Sequence, residues 1–286
     1  MRNAIGIDIG GTNIRAARVS ADGTIIAHQS GPTPRNAEEI LSGLARMVAM
    51  LRDGATAAIG IGAPGRVDGR TGQILSGGFV DLSVLPLAAL LRQATGLPSL
   101  ADNDANMALA AEAQLGAAKG HDHAVMLTIG TGIGGAILAD GQIFHGGATA
   151  GQLGHITVNM AGLPCSCGRT GCLETESSGT ALHRHMAAYG IPAGTRIGDL
   201  LVSAQPAAQA AVMAWAVPLR AGIDSLVAAF GPEVVILGGG LGASAASALE
   251  RVAAPSPWFQ CPVTAARLGD EAGVIGAALA ALQRLP

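Results

Sequence analysis

The chain has 286 residues, a formal net charge of −3 and an isoelectric point near 6.1. Hydrophobic residues make up 49% of it, aromatic residues only 2%, and 42 residues are glycine. This composition is typical of a globular α/β protein and excludes a fibre or a disordered chain. The acidic balance and the lack of a basic tract give no electrostatic case for binding nucleic acid or an anionic membrane. A chain of this length can form two modest lobes, each with its own core.

The sequence also indicates the cellular compartment of the protein and excludes one type of phosphate-binding loop. We expect a cytoplasmic protein, because no apolar run of signal-peptide length follows Met1 and no run of about eighteen apolar residues predicts a membrane helix. Cys261 is left unpaired if the other three cysteines bind a metal, which is typical of a reducing compartment. Lys119 is the only lysine and lies outside any G-x-x-x-x-G-K-S/T sequence, so Walker-type nucleotide binding is excluded.

Hydrophobic periodicity predicts an alternation of strands and helices along the chain. In the first half we expect strands at 4–9, 14–19, 24–28, 56–61 and 98–101, and helices at 36–51, 84–95 and 103–115. In the second half we expect strands at 124–129, 136–139, 234–237 and 262–265, and helices at 176–189, 207–230 and 272–284. Each half begins with a strand, a glycine turn and a second strand. The pattern predicts a duplicated α/β architecture with a cleft between two lobes.

Three of the four cysteines lie within eight residues, in Cys165-Ser-Cys167-Gly-Arg-Thr-Gly-Cys172-Leu-Glu174. His155 precedes this run by ten positions. Three cysteines and one histidine are a usual tetrahedral shell of structural zinc, and spacing this close suits a small soft cation better than a disulfide. The other six histidines lack ligand-like partners in the sequence. They include His121 and His123, which flank Asp122 and which we expect at the surface.

Glycine turns follow several predicted strands. Asp8-Ile-Gly10-Gly11-Thr12-Asn13 and Gly130-Thr131-Gly132-Ile-Gly-Gly each lie between two strands. Backbone N–H groups in such turns can approach a phosphate, although the first segment alone is equally typical of an ordinary hairpin. Gly238–Gly242 follows a strand and opens a helix, which suits a nucleotide or a simple packing turn. The G-x-G-x-x-G matches at 60–65 and 130–135 are no Rossmann fingerprint, because neither leads directly into a helix.

Asp102-Asn103-Asp104-Ala-Asn106 places polar groups at the start of a predicted helix. Capping requires only Asp102 or Asn103. Asn103 and Asp104 can instead hold a substrate hydroxyl and remove its proton, the task of an aspartate when an alcohol attacks a phosphoryl group. The sequence contains no G-x-S-x-G elbow that would indicate an alternative nucleophile.

Taken in order, these motifs resemble the ROK family (repressor, open reading frame, kinase) of the actin-like sugar kinases. The resemblance extends over nearly the whole chain and includes Gly62-Ala-Pro-Gly65, Gly151-Gln152-Leu-Gly-His155 and the cysteine run. It implies a two-lobed, actin-like (ribonuclease H-like) ATPase fold. We expect a smaller lobe at 1–115, completed by the helix at 272–286, and a larger lobe at 116–271 that carries the zinc site.

The resemblance also implies roles for individual residues. Asp104 would be the general base of a kinase that phosphorylates the 6-hydroxyl of a hexose or N-acylhexosamine. The implied sugar-binding residues are Gly65, Asn103, Asp104, Gln152, His155 and Glu174. The implied residues for ATP and Mg²⁺ are Asp8, Gly10, Gly11, Thr12, Asn13, Gly130, Thr131, Gly132, Gly239 and Gly240. The implied ligands of a structural Zn²⁺ are His155, Cys165, Cys167 and Cys172. Family members are often dimers or tetramers, so a homo-oligomer is expected.

Two departures from the family pattern concern the sugar. Family glucokinases usually carry glutamate where this chain has Gln152, and glutamine loses the charge while adding donors. The expected sugar loop is replaced by residues 76–82, where Phe79 and Asp81 are candidate substitutes. N-acetylmannosamine kinases also vary at the Gln152 position, and allose kinases share the run at 172–175. The sugar therefore stays open among glucose, N-acetylmannosamine, N-acetylglucosamine and allose.

The main alternative is a ROK-type sugar sensor or transcriptional regulator that binds sugar without phosphorylating it. Regulators of this kind carry a helix-turn-helix domain ahead of the Asp-Ile-Gly-Gly motif, which begins here at Asp8. Asp104 and both phosphate turns are present, which favours the kinase. A second alternative, a purely structural zinc protein, does not explain why the glycine turns occur in this order.

Overall fold

Short apolar segments form strands and the longer amphipathic segments form helices in the computed structural model, which describes residues 2–76 and 80–284. The strands are β1 (Asn3–Ile9), β2 (Asn13–Ser20), β3 (Ile25–Pro32), β4 (Thr56–Ala63), β5 (Arg66–Val67), β6 (Ile74–Ser76), β7 (Ser99–Asn103), β8 (Ala124–Ile129), β9 (Ile133–Ala139), β10 (Gln142–Ile143), β11 (Val234–Gly238) and β12 (Val263–Ala265). The α-helices are α1 (Ala37–Leu51), α2 (Leu87–Thr95), α3 (Asp104–Leu115), α4 (Leu173–Ser177), α5 (Gly179–Ala188), α6 (Ile197–Val202), α7 (Pro206–Phe230), α8 (Gly242–Leu249) and α9 (Ala272–Arg284).

Two five-stranded sheets share one topology. The first has the order β3-β2-β1-β4-β7, in which β1 runs antiparallel to β2 and parallel to β4. The second has the order β10-β9-β8-β11-β12, in which β8 runs antiparallel to β9 and parallel to β11. The predicted duplication is thus confirmed, since each half opens with an antiparallel pair and continues into parallel strands.

The chain divides into two compact units built on these sheets. One comprises Met1–Gly120, Ile143–Gly151 and Asp270–Pro286, and the other His121–Gln142 and Gln152–Gly269. Ile143–Gly151 thus belongs to the first unit, whereas the expected second lobe at 116–271 includes it. The two units are of nearly equal size, whereas we expected the lobe at 116–271 to be the larger one.

The last helix packs directly on the first sheet because glycines remove the side chains between them. Gly6 of β1 and Gly60 of β4 are register partners, and a Cβ on either would overlap a backbone carbonyl of α9. Gly276 of α9 similarly admits the backbone of α3 at Met107. These close approaches fix α9 between the parallel strands and the helix that begins at Asp104.

The core of the second unit is built around α7. Trp215 is fully buried, and its indole N–H donates to the Ser178 carbonyl over 3.0 Å. The helix is long and apolar enough to cross a membrane by length and composition alone, and half of that apolar window is buried inside the protein. Core helices of globular domains meet the same criterion, which is how α7 is used here. No other helix in the described ranges meets it.

Candidate functional site

The parallel strands of the first unit end at one edge of the sheet and bring the predicted acidic residues together there. Asp8 on β1, Gly62 on β4 and Asp102 on β7 are register partners across three adjacent strands. Asn103 ends β7 and Asp104 begins α3. Carboxyl ends of parallel strands are where α/β proteins bind ligands. Asp8 and Asp104 therefore lie at the edge of the sheet suited to a site.

Burial and neighbouring charges shift the pKa values of the Asp8 and Asp104 carboxyl groups. Burial, with a further contribution from the negative charge of Asp8, raises the pKa of Asp104 to about 7. Burial raises the pKa of Asp8 to about 6, although Arg15 opposes the shift. A carboxyl group with a pKa near 7 can exchange a proton with a substrate at neutral pH, as a general base must.

Asn103 holds the chain on either side of Asp104. Its side-chain oxygen caps α3 by accepting from the N–H groups of Ala105 (3.0 Å) and Asn106 (3.4 Å), which settles which residue is the cap. Its Nδ2 donates to the Gly65 carbonyl over 2.9 Å. Gly65 has a φ of +86°, a conformation that favours glycine. The predicted residues Gly65, Asn103 and Asp104 thus form one connected group.

The turn after β1 is tight and exposed. The Gly10 N–H donates to the Asn13 carbonyl over 3.1 Å, and the hydroxyl of Thr33 donates to the Gly10 carbonyl over 2.6 Å. Gly11, Thr12 and Asn13 are exposed. These hydrogen bonds fix the turn while its tip faces solvent, so it can receive an anion.

The second unit repeats this arrangement at the ends of β8 and β11. The Gly130 N–H donates to the Gly132 carbonyl over 3.0 Å, which closes the predicted turn between β8 and β9. At the end of the neighbouring strand, Gly239 has a φ of +75° and is exposed with Gly240. The Leu241 N–H donates to the Ile129 carbonyl over 3.0 Å, so the two glycine segments are joined. Both G-x-G-x-x-G matches lead into strands, confirming that neither is a Rossmann fingerprint.

The cysteine cluster has the dimensions of a tetrahedral metal site. The four donor atoms of His155, Cys165, Cys167 and Cys172 all lie within 4.8 Å of one another. Cys167 Sγ is 3.6 Å from Cys172 Sγ, and Cys165 Sγ is 3.4 Å from His155 Nδ1. Zinc–sulfur bonds of about 2.3 Å in a tetrahedron separate two sulfurs by about 3.8 Å, so the donor set fits zinc.

Backbone contacts and thiol chemistry support the same assignment. All four cysteines of the chain are free, and Cys165 accepts a backbone hydrogen bond from Gly168 while donating one to Arg169. Burial and the adjacent thiols raise the pKa of Cys172 to about 12. Three thiolates in one place require a compensating cation, as zinc provides.

Glu174 and Gln152 flank the cluster in the second unit. Glu174 lies in the first turn of α4, and its Oε2 accepts from the Ile133 N–H over 2.9 Å. This contact attaches Glu174 to the end of the Gly130–Gly132 turn, and no motif in the sequence predicts it. Gln152 immediately precedes the one-turn 3₁₀ helix Leu153–His155, and its carbonyl accepts from the His155 N–H over 3.1 Å.

One histidine has a role that the sequence analysis missed. His145, for which the sequence predicts no partner, lies 2.7 Å from the buried carboxylate of Asp102. No local signal connects residues 43 positions apart, so periodicity and motif spacing do not reveal such a pair. In the loop at 76–82, Phe79 lies outside the described residues, and Asp81 accepts from the Ser83 N–H over 3.0 Å.

Comparison with known proteins agrees with these features. A ROK family profile matches residues 4–284. The chain is 33% identical over 303 residues to a glucokinase of Streptomyces coelicolor, covering 96% of both chains. It is 32% identical over 290 residues to an N-acetylmannosamine kinase of Yersinia pseudotuberculosis, covering 98% of both.

A solved structure shows the same fold. The ROK family glucokinase of Streptomyces griseus, in complex with glucose and AMPPNP, superposes with a TM-score of 0.84 at 33% identity. The match covers 98% of this chain and 99% of that one. The α/β fold of the actin-like ATPase type, implied by the motifs, is confirmed. The chain belongs to the ROK family.

Proposed function

We propose that the protein is an ATP-dependent sugar kinase that transfers the γ-phosphate to the 6-hydroxyl of a hexose or N-acylhexosamine. The observation that carries this proposal is Asp104, a carboxyl group with a pKa of about 7 at the same sheet edge as Asp8 and its turn. The names of the similar proteins, glucokinase and N-acetylmannosamine kinase, support the same reaction class. Glucose and an ATP analogue in the Streptomyces griseus complex support the two substrates.

Asp104 acts as the general base. The oxygen of the sugar hydroxyl bonds to the γ-phosphorus, its proton passes to the Asp104 carboxylate, and the bond from phosphorus to the departing ADP oxygen breaks. Asn103 orients the sugar with its amide group. One Nδ2 hydrogen is donated to Gly65, and the amide has a second hydrogen for a sugar hydroxyl.

The exposed glycine turns bind the nucleotide. In the turns at 10–13 and 130–132, the N–H groups of Gly10 and Gly130 close the turns, and the other backbone N–H groups are available to the phosphates. Gly239 and Gly240 lie against the adenosine. Asp8 would supply the carboxylate oxygen that Mg²⁺ prefers, and the ion would supply positive charge beside the phosphates. A cation beside Asp8 also offsets the burial that raises the pKa of this carboxyl group.

The sugar is recognised further by Gly65, Gln152, His155 and Glu174. His155 and the three cysteines would hold zinc, which would order the segment that leads into α4. His155 would bind zinc through Nδ1 and leave Nε2 for a sugar hydroxyl. Gln152 can both donate and accept, so it is the residue from which we expect sugar preference to differ from that of the glucokinases.

A screen for sugar-dependent ADP release tests this proposal. Purified protein with MgATP is offered glucose, mannose, allose, fructose, N-acetylglucosamine and N-acetylmannosamine, and ³¹P NMR identifies the phosphorylated position. Release of ADP with at least one hexose or N-acylhexosamine, and phosphate at the 6-position, is the expected result. Sugar binding by calorimetry without ADP release from any of them would favour the sensor and contradict the kinase.

A further inference from the structure

The carboxylate of Asp102 is almost completely buried and accepts hydrogen bonds from several surrounding residues. It is 2% exposed and accepts from the Asn106 amide (2.9 Å), the Asn103 N–H (2.7 Å) and Arg284 (3.3 Å). His145 Nε2 lies 2.7 Å from its second oxygen. Burial alone would raise the pKa of Asp102, but the hydrogen bonds with His145 and Asn106 hold it below its usual value. An ionised carboxylate can only accept, so Nε2 of His145 carries the hydrogen.

These partners come from separate parts of the first unit. His145 lies in the segment Ile143–Gly151, and Arg284 lies in the last turn of α9. Asp102 is the residue immediately before Asn103 and Asp104. A single buried charge therefore connects this segment and the last helix with the strand end that carries the proposed base. Breaking such a pair leaves a buried charge undercompensated, which is costly.

The segment that carries His145 is itself fixed to the β5–β6 hairpin. The imidazole occupies the space that a side chain on Gly69 would need, so only glycine admits it. The Gly69 N–H donates to the Ala148 carbonyl over 3.1 Å, and Arg70 donates to the Gly146 carbonyl over 3.0 Å. The side chain of His145 is 14% exposed. His145 thus lies between the hairpin and Asp102. Its fixed imidazole can therefore hold the Asp102 carboxylate in place.

We propose that His145 is a positioning residue for the reaction, acting through Asp102 on Asn103 and Asp104. The inference rests on the proposed kinase function. With His145 in place, the Asp102 carboxylate is fixed, and the Asn103 N–H bonded to it keeps β7 in register where α3 begins. Loss of this hydrogen bond lets the Asp104 carboxylate move relative to the sugar hydroxyl.

The test compares His145→Leu with His145→Gln, whose amide restores a donor, and with His183→Leu on the exposed face of α5. A shift of the base by about 1 Å can cost up to about a hundredfold in rate, so kcat of His145→Leu should fall about tenfold or more. The KM for ATP should stay unchanged, since the glycine turns are untouched. His145→Gln should recover most of kcat, and His183→Leu should match the wild type. Full activity of His145→Leu, or no recovery by glutamine at equal folded fraction, would overturn the inference.

Hydrogen exchange provides a readout that does not depend on activity. Amides at 101–106 and 143–151 should exchange faster in His145→Leu than in the wild type, and His145→Gln should restore slow exchange. Unchanged exchange at 101–106 in His145→Leu would overturn the inference. An inactive wild type with this exchange pattern intact would instead contradict the proposed kinase function alone.

Discussion

Glu174 accepts a hydrogen bond of 2.9 Å from the backbone N–H of Ile133, the residue that follows the Gly130–Gly132 turn. Cys172 directly precedes α4, in which Glu174 lies, so one carboxylate connects the cysteine cluster with the candidate phosphate turn. The Gly179 N–H adds a second attachment by donating to the Gly130 carbonyl over 2.7 Å. If Glu174 binds the sugar and the turn binds ATP, as proposed, the segment that carries the cysteine cluster would support both substrate sites.

Gly132→Ala should break this connection. The new Cβ would fall on Glu174 Oε2, so the carboxylate must leave the Ile133 N–H. Losing a hydrogen bond to a charged acceptor costs about 2 kcal/mol, which thermal unfolding measures. Gly130→Ala is the matched control, because its Cβ would meet nothing within 4 Å. It should keep the wild-type stability but raise the KM for ATP, since the open space is where we place a phosphate. Equal stability of the two variants would contradict the connection.

Cys167→Ser should remove the metal. Replacing one of four ligands weakens the site, so zinc measured by plasma mass spectrometry should drop well below one per chain, and the unfolding temperature should fall. Cys261→Ser is the control, because Cys261 lies outside the cluster, where its thiol donates to the Pro232 carbonyl over 3.2 Å. It should retain its zinc. Unchanged zinc in Cys167→Ser would exclude this ligand set.

Asp104→Asn should stabilise the protein more as pH rises. The pKa of Asp104 is about 7 in the folded state and about 3.9 in the unfolded state. Between these values the folded state binds more protons, so the free energy of unfolding falls with rising pH until about pH 7. Asparagine removes this penalty, and the gain should reach on the order of 4 kcal/mol by pH 8.

Denaturant unfolding at about pH 5 and pH 8 measures this gain. Asp22→Asn is the control, since hydrogen bonds from Ser20 and Thr24 hold the pKa of Asp22 below its usual range. It should show no gain that grows with pH. A gain for Asp104→Asn that is equal at both pH values would show that its pKa is not raised.

The rate of the wild type should follow the ionisation of Asp104. The base must be deprotonated, so kcat/KM for the sugar should rise about tenfold per pH unit on the acid side and level off above the pKa. The negative charge of Asp8 raises the pKa of Asp104, so Mg²⁺ bound at Asp8 should move the midpoint below about 7. A flat profile from about pH 5 to pH 8 would contradict this role for Asp104.

Much of the fold follows from local pattern. Except for β10, the strands of both five-stranded sheets and the helices α1, α3, α7 and α9 lie where periodicity predicts them, because apolar spacing and caps are local signals. The helix expected at 176–189 is instead two helices, because Ser178 is extended and caps α5 by accepting from the Ala181 N–H. Pro86 delays α2 to Leu87. The short elements β5, β6, β10 and α6 were not predicted, because a segment of only a few residues is too short to show a hydrophobic periodicity.

The sequence predicts those parts of the candidate site whose residues are close together in the chain. It does not predict contacts between residues that are far apart in the chain. Cys165, Cys167 and Cys172 form a spaced motif whose chemistry predicts a metal site, and the structure brings their sulfurs together with His155. The pairs His145 with Asp102 and Glu174 with Ile133 join residues more than forty positions apart. Only the tertiary packing of the strands and their connecting segments brings such partners within hydrogen-bond distance.

The central claim is that Asp104 removes the proton from the sugar. Its most direct test is the rate of sugar-dependent ADP release by Asp104→Asn at saturating MgATP and sugar, with zinc content and sugar binding measured on the same sample. General bases contribute about 10² to 10⁴ in rate, so we predict a fall of at least about a hundredfold with zinc and sugar binding retained. A variant that phosphorylates sugar within about threefold of the wild-type rate would contradict the account.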